Sequence, residues 1–366
     1  MVAWIFNIEM PKVSMRDYSE AMHPTKLNYK MPAEWVKHSC TYISWPVQSS
    51  MCFPEDYDAV CLGYVEIIRA IAEFEPVTVV ANPADVEKLS SIFKNDRVKV
   101  MVIYHNDAWL RDNGPTFLIH DTGGVAGVNW QFNAWGEKYA PWDLDNQVAT
   151  QLLDTVGVRR FDASIVMEGG SLHVDGEGTL LTTEQCLLNP NRNPNLTRGQ
   201  IEAELKKFLN IRKVIWLKNG LDGDETDGHV DNIACFIAPG KILIQVCDDP
   251  DDENYVITQE NLRILGTESD ALGRKFELIP IQQPPKLCDK ETDIRYTLSY
   301  LNFYFVNGGL ILPIFGGKAA ETDRLAIQVL GKLFSERRIR TVNGMAIIRE
   351  GGNVHCTTQQ MPEGVV

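Results

Sequence analysis

A chain of 366 residues with 44% hydrophobic content can bury a large core, in one domain or two. Its 35 Lys and Arg against 49 Asp and Glu leave a net charge of −14, which argues against nucleic acid or an anionic membrane surface as partner and favours a small cationic one. No apolar run reaches the roughly 18 residues of a membrane-spanning helix, and Met1-Val2-Ala3-Trp4-Ile5-Phe6 lacks the basic start and cleavage site of a signal peptide, so a reducing, cytoplasmic setting is expected.

Residues 1–30 show no clean period and read as an N-terminal extension. Met31-Pro32-Ala33-Glu34-Trp35 opens the ordered part, followed by a strand over Thr41 to Trp45 that stops at Pro46. Val60, Tyr64, Ile67, Ile68, Ile71 and Phe74 recur at helical spacing and mark one buried face. Pro76 ends that helix, and Val77 to Ala81 reads as a buried strand. Asn82-Pro83 then offers a cap and a first-turn proline for a short helix to about Phe93, and Val98 to Tyr104 is a further strand.

The same grammar continues. Thr179 to Thr183 is a strand; Thr197-Arg198-Gly199-Gln200 has capping-box spacing, ahead of a helix whose buried face is Ile201, Leu205, Phe208 and Leu209. Lys213 to Leu217 is a strand, and Ile233 to Ala238 with Lys241 to Val246 forms a hairpin across Pro239-Gly240. Tyr304 to Ile314 is strand-rich, Asp323 to Phe334 helical, and Met345 to Ile348 a strand. Polar, Gly-containing segments headed by Asp107, Glu168, His229, Asn302 and Cys356 punctuate this alternation at separations of 61, 61, 73 and 54 residues. Such a period suggests similar units that each send a strand end to one centre. Glu168-Gly169-Gly170-Ser171-Leu172-His173 and Glu350-Gly351-Gly352-Asn353-Val354-His355 share a local signature.

These segments hold what a guanidine-hydrolysing site needs. Of eight cysteines, none lies in a Cys-x-x-Cys pair, which argues against both a zinc ribbon and a disulfide framework. Cys356 stands apart because it follows a Gly-Gly turn, in a strand end, rather than sitting inside an apolar run. Asp107 and Asp112 flank an aromatic, Trp109, and Glu168 precedes two glycines; each could also be a plain turn residue. In an extended segment His229 and Asp231 point the same way and can face one ligand, and no further histidine at ligand spacing makes them a metal site. His173 and His355 read as structural. Trp109, Trp130, Trp135 and Trp142 together suggest an aromatic-lined pocket.

The chain resembles the agmatine deiminases of the Porphyromonas-type peptidylarginine deiminase family, within the pentein superfamily. The likeness runs from about Met31 to Pro362. It rests on Met31-Pro32-Ala33-Glu34, Trp45-Pro46, Asn106 to Pro115, Phe132-Asn133-Ala134-Trp135-Gly136, Glu168 to Gly178, Thr183-Glu184-Gln185-Cys186-Leu187-Leu188, Arg192-Asn193-Pro194, Gly228 to Asn232, Ser299 to Phe303 and Gly351 to Gln360. It implies an α/β fold, a pentein propeller of five ββαβ-like units about a central site, formed by one catalytic domain over 31–362. It implies Cys356 as nucleophile, His229 as proton-transfer residue, Glu168 as the carboxylate orienting it, and Asp107 and Asp231 as the pair gripping the guanidinium. Trp109, Trp135 and Asn353 complete the implied substrate contacts.

The implied reaction converts agmatine and water to N-carbamoylputrescine and ammonia through an amidino-cysteine, in putrescine formation, with no metal or organic cofactor. A homo-oligomer is compatible with the sequence without being specified by it. The chemistry accords with elementary expectation: a planar guanidinium pairs bidentately with carboxylates, which fix its plane for a thiolate. The chain departs from the family at Gln48-Ser49-Ser50-Met51-Cys52, where an Arg-x-Asp-Asn-Trp run is usual, and in a short Pro284 to Thr297 segment. Two alternatives stand beside this reading: another guanidine-modifying pentein acting on arginine or peptidylarginine, and a non-enzymatic propeller that binds a macromolecule.

Overall fold

A computed structural model of the protein describes residues 22–366; the first part of the expected extension, with Met1 to Phe6, lies outside the described residues. The fold is α/β. The helix Tyr57–Ala72 shows how the pattern works: Val60, Tyr64, Ile67, Ile68 and Ile71 fall on one face and are buried in a cluster that includes Val77, Val79 and Ala81 of the next strand. Each such side chain, fully withdrawn from water, contributes about 1.5–3 kcal/mol before the cost of ordering it. The strand Val77–Ala81 is buried throughout, as befits a strand between two parallel neighbours. At Thr197 both halves of the expected capping box are made, and the helix Arg198–Leu209 buries Ile201, Leu205, Phe208 and Leu209.

Among the described residues the strands form five sheets with one shared pairing pattern. In each, an antiparallel pair is extended by a parallel strand. The pairs are Thr116–His120 with Val125–Gln131, His173–Val174 with Thr179–Thr183, Ala234–Ala238 with Lys241–Val246, Tyr304–Val306 with Gly309–Ile314, and Thr358–Pro362 with His38–Ser44. The added parallel strands are Arg159–Val166, Lys213–Leu217, Glu277–Gln282, Arg338–Asn343, and Val77–Ala81 followed by Val98–Val102. The segment after each outer parallel strand holds one of the five polar heads: Asp107 after Val98–Val102, Glu168 after Arg159–Val166, His229 after Lys213–Leu217, Asn302 after Glu277–Gln282 and Cys356 after Arg338–Asn343. The period near 60 is the length of this repeated unit.

Some elements differ from expectation. Tyr29–Lys30, read as lead-in, pairs with Thr116–His120. Met345 to Ile348 is not a strand but two tight turns, Gly344–Ala346 and Ile348–Glu350, the first capped by the Asn343 side chain on the Met345 N–H. The strand precedes it, over Arg338–Asn343, where Arg338 and Arg340 reach Glu73 and hide the apolar alternation. Asn82 does not cap its helix with its side chain; its amide donates to the His105 carbonyl instead.

Candidate active site

Cys356 lies in the single turn Val354–Thr357, which leads into the strand Thr358–Pro362. The sequence suggested a strand end; here the strand follows the cysteine instead, and Asn353 caps the turn. Its side-chain oxygen accepts from the Val354 N–H, and its amide donates to the Gly344 carbonyl, so Asn353 shapes the turn and does not line the cavity. The Cys356 Sγ is 3.1 Å from Asn302 Nδ2 and 3.6 Å from Asp231 Oδ2. Gly352 beside it must stay a glycine, because a Cβ there would come within 2.3 Å of the Trp109 ring and 3.1 Å of the Cys356 Cβ.

The thiol borders a cavity of about 690 Å³, its open mouth included. Asp107, Asp112, Trp109 and Trp135 line it, with Tyr139, Glu225 and Glu350 farther along the wall. Among the described residues, no Lys, Arg or His lines it. Trp135 adopts a left-handed conformation (φ 56°, ψ 40°) and donates its indole N–H to Asp112 at 2.9 Å. That backbone state costs a non-glycine residue about 1 kcal/mol or more, so surrounding contacts must hold it. Of the other tryptophans, Trp142 borders a neighbouring groove, and Trp130 is core, bonded to Thr116 and packed on Phe208.

His229 and Asp231 meet near Gly170, but not by strand alternation. Val230–Asn232 is a 3₁₀ turn, so the extended geometry expected from their spacing is absent. Gly170 is nevertheless hemmed in by both: a Cβ there would lie 2.6 Å from His229 Nδ1 and 3.0 Å from Asp231 Oδ2 and Asp112 Oδ1. His229 is fully buried, its Nε2 3.5 Å from Glu168 Oε2 and its Nδ1 3.9 Å from Asp112 Oδ1. Burial opposes its protonation, but Asp112 and Glu168 outweigh that and hold its pKa well above the usual range. Glu168 is held ionised despite complete burial, because Arg192 Nε donates to it at 2.7 Å.

The remaining groups move upward. Burial, with Asp231 and Asp112 close by, pushes the Cys356 thiol well above its ordinary pKa. Burial lifts Asp107 to about 6, partly countered by the Ala108 N–H and the Ser50 hydroxyl. Cys356 is therefore held as the protonated thiol and His229 as the imidazolium, the latter against Asp112 and Glu168. Among the described residues, Glu168, Cys186 and His229 are the one group with metal-ligand spacing. The Arg192 guanidinium on Glu168 makes that a poor place for a second cation.

Sequence reasoning gave no role to four further residues, although Asn302 heads one of the five polar segments. Asn302 touches the thiol, Arg192 holds Glu168, Glu34 lies 2.9 Å from His355, and Glu350 accepts from the Cys52 and Phe53 N–H groups. Through Glu350 the divergent Gln48 to Cys52 segment is pinned to the cavity, and Ser50, Met51 and Cys52 line it. In the short Pro284 to Thr297 segment, Asp289 pairs with Arg349, the residue before Glu350.

The Porphyromonas-type peptidyl-arginine deiminase family pattern matches residues 30–362. An agmatine deiminase of Stutzerimonas stutzeri is 43% identical over 360 residues, covering 93% of this chain and 97% of that protein. One from Pseudomonas syringae pv. tomato is 42% identical over 364 residues, with the same coverage. Among solved structures, the agmatine deiminase of Enterococcus faecalis superposes with a TM-score of 0.88 at 34% identity, covering 94% of this chain and 98% of that one.

Proposed function

The chain belongs to the Porphyromonas-type peptidyl-arginine deiminase family, and from that membership and the site we propose that it hydrolyses agmatine to N-carbamoylputrescine and ammonia, a step toward putrescine. One observation carries the substrate choice: a buried cysteine borders a cavity with four carboxylates and no cation among its lining residues. Agmatine carries a guanidinium at one end and an ammonium at the other, with no carboxylate to repel. Asp107 and Asp231 grip the guanidinium, and the Trp109 and Trp135 faces flank its methylene arm. Glu225 and Glu350 receive the ammonium.

The electrostatics set the order of events. A guanidinium settling among Asp107, Asp112 and Asp231 offsets the negative field that keeps Cys356 protonated, so the thiol releases its proton to solvent as substrate enters. The thiolate attacks the central carbon, held face-on by its paired N–H groups. The His229 imidazolium, oriented by Glu168, gives its proton to the departing nitrogen, and ammonia leaves with an amidino-thioether remaining. Neutral His229 then takes a proton from water, hydroxide adds to the same carbon, and the thiolate is expelled and takes up the hydroxyl proton, leaving the neutral ureido product and the resting thiol.

The same reading arranges the five sheets as blades of a pentein propeller about the cavity, with residues 31–362 as one catalytic domain. Its support is the shared strand pairing and the placement of the five polar heads after corresponding strands. Ammonia release from agmatine, free arginine and a blocked arginine peptide tests the reaction. Release from agmatine that Cys356→Ser abolishes supports it. Release from arginine or the peptide alone would move the chain to another branch of guanidine chemistry.

A further inference from the structure

His355 sits beneath the cavity with a carboxylate on each ring nitrogen. Its Nδ1 is 2.9 Å from Asp231 Oδ2, and its Nε2 is 2.9 Å from Glu34 Oε1. A neutral imidazole has one N–H, so one of those contacts would set a lone pair against a carboxylate oxygen. Both are satisfied together only by the imidazolium. Asp231 is fully enclosed, and its other oxygen, Oδ1, has no partner among the described residues. The carboxylate is thus tied at one corner and bare at the other. We propose that His355 is a positioning residue: as an imidazolium bridging Glu34 and Asp231, it aims the bare Asp231 oxygen at the substrate guanidinium and keeps that carboxylate charged.

The surroundings fit a built device rather than a chance contact. Arg111 Nε donates to the His355 carbonyl at 3.2 Å, and its Nη1 lies 3.5 Å from Glu34 Oε1. Two cations, His355 and Arg111, thereby balance two carboxylates, Glu34 and Asp231, in a place that water does not reach. His173 fixes the far side of Glu34. Its Nδ1 accepts from the Phe236 N–H, which leaves Nε2–H to face Glu34 Oε2 at 3.6 Å. The other titratable neighbours are Cys235, Asp224 and, on the cavity side, Cys356 and Asp112, each pushed up by burial and by the charge of Asp231, and Tyr304, pushed up by burial and by Glu75 and Glu34. Burial and Arg111 press against protonation of His355, yet Glu34 and Asp231 prevail and its pKa is raised.

The inference rests on reading Asp231 as a guanidinium ligand, and the test separates the two. Agmatine affinity is measured by calorimetry on Cys356→Ala protein, alone and with His355→Gln, Asp231→Asn or both. His355→Gln should weaken affinity about 10–100-fold, the loss typical when the partner orienting a binding group is removed. In turnover by enzyme with Cys356 intact, His355→Gln should raise KM more than it lowers kcat. The acid limb of kcat/KM should move to higher pH, because a proton then competes with substrate for the Asp231 oxygens. Combined with Asp231→Asn, it should add less than about threefold, as expected for residues acting through one another. A loss of packing alone would lower the folded fraction without moving KM or the pH limb. If His355→Gln fails to fold, Glu34→Gln should shift the same readouts by a smaller factor. Unchanged affinity and an unmoved limb in a folded variant overturn the role of His355; an intact affinity in Asp231→Asn overturns the reading of Asp231 beneath it.

Discussion

The floor and the rim of the cavity are built on opposite principles. On the floor nearly every buried charge meets its opposite: Glu168 with Arg192 at 2.7 Å, Glu34 with Arg111 and His355, and Asp231 with His355. At the rim, Glu225 accepts from the Tyr139 hydroxyl and Glu350 from two backbone N–H groups, and neither carboxylate has a cation on it among the described residues. Removing one member of a buried pair strands the other at a cost of about 3–5 kcal/mol, so the floor tolerates little change. Among the described residues the rim's carboxylates lack a counter-ion, and in the proposed reaction the substrate supplies one. On that reading geometry for the reaction is fixed below, and selectivity is decided above.

The largest effects belong to the floor. Cys356→Ser should abolish ammonia release by at least about 10⁴-fold, since the nucleophile carries both half-reactions. Acid-quenched wild-type enzyme should show the amidino group on the peptide containing Cys356, by mass spectrometry; label on another cysteine would end the assignment. His229→Ala should cost about 10²–10⁴-fold, the span of general acid–base catalysis, with the fold unchanged by circular dichroism. Retention of activity within about tenfold would remove His229 from the proton transfers.

That division also explains which parts were legible in the sequence. The helix Tyr57–Ala72 and the strand Val77–Ala81 were readable because apolar spacing is a local signal. The capping box at Thr197 is likewise four residues long. Cys356 and Asp107 stood out because each sits in a polar turn between regular elements, and both border the cavity. The floor's pairings leave no such trace. Glu34 and His355 are 321 residues apart, and Asn302 and Cys356 are 54 apart, so no window contains both partners. His229 and Asp231 were expected to converge through strand alternation and instead converge through a 3₁₀ turn, which residue spacing alone does not distinguish. The strand Arg338–Asn343 was hidden by arginines that serve ion pairs at an exposed edge.

Selectivity sharpens the comparison next. Arginine would bring its carboxylate into a cavity lined by Asp107, Asp112, Glu225 and Glu350 without a cation to meet it. An unpaired, partly desolvated charge facing like charges costs several kcal/mol. A preference for agmatine over arginine of at least about 10³ in kcat/KM follows, from roughly 4 kcal/mol. Comparable rates on both, measured below saturation, would remove the rim from substrate choice. Glu225→Gln keeps an acceptor for Tyr139 but loses the charge, and should raise KM for agmatine about tenfold with kcat little changed.

The smallest effect concerns pH at the rim. Burial raises the Glu350 pKa to about 7, with the Cys52 and Phe53 N–H groups pulling it down and Asp107 and Asp56 pushing it up. Asp107 titrates lower, at about 6. Both are neutral in acid and gain charge as pH rises, and a dicationic substrate prefers them charged. The kcat/KM for agmatine should therefore climb through two steps, the first near pH 6 and the second near pH 7. In Glu350→Gln the upper step should vanish and the lower remain, with a loss of only a few-fold above neutrality because Glu225 still faces the ammonium. A Glu350→Gln profile that superposes on wild type would show that Glu350 merely pins the Gln48 to Cys52 segment. A profile missing both steps would mean that Asp107 and Glu350 titrate as one coupled pair rather than as a floor group and a rim group.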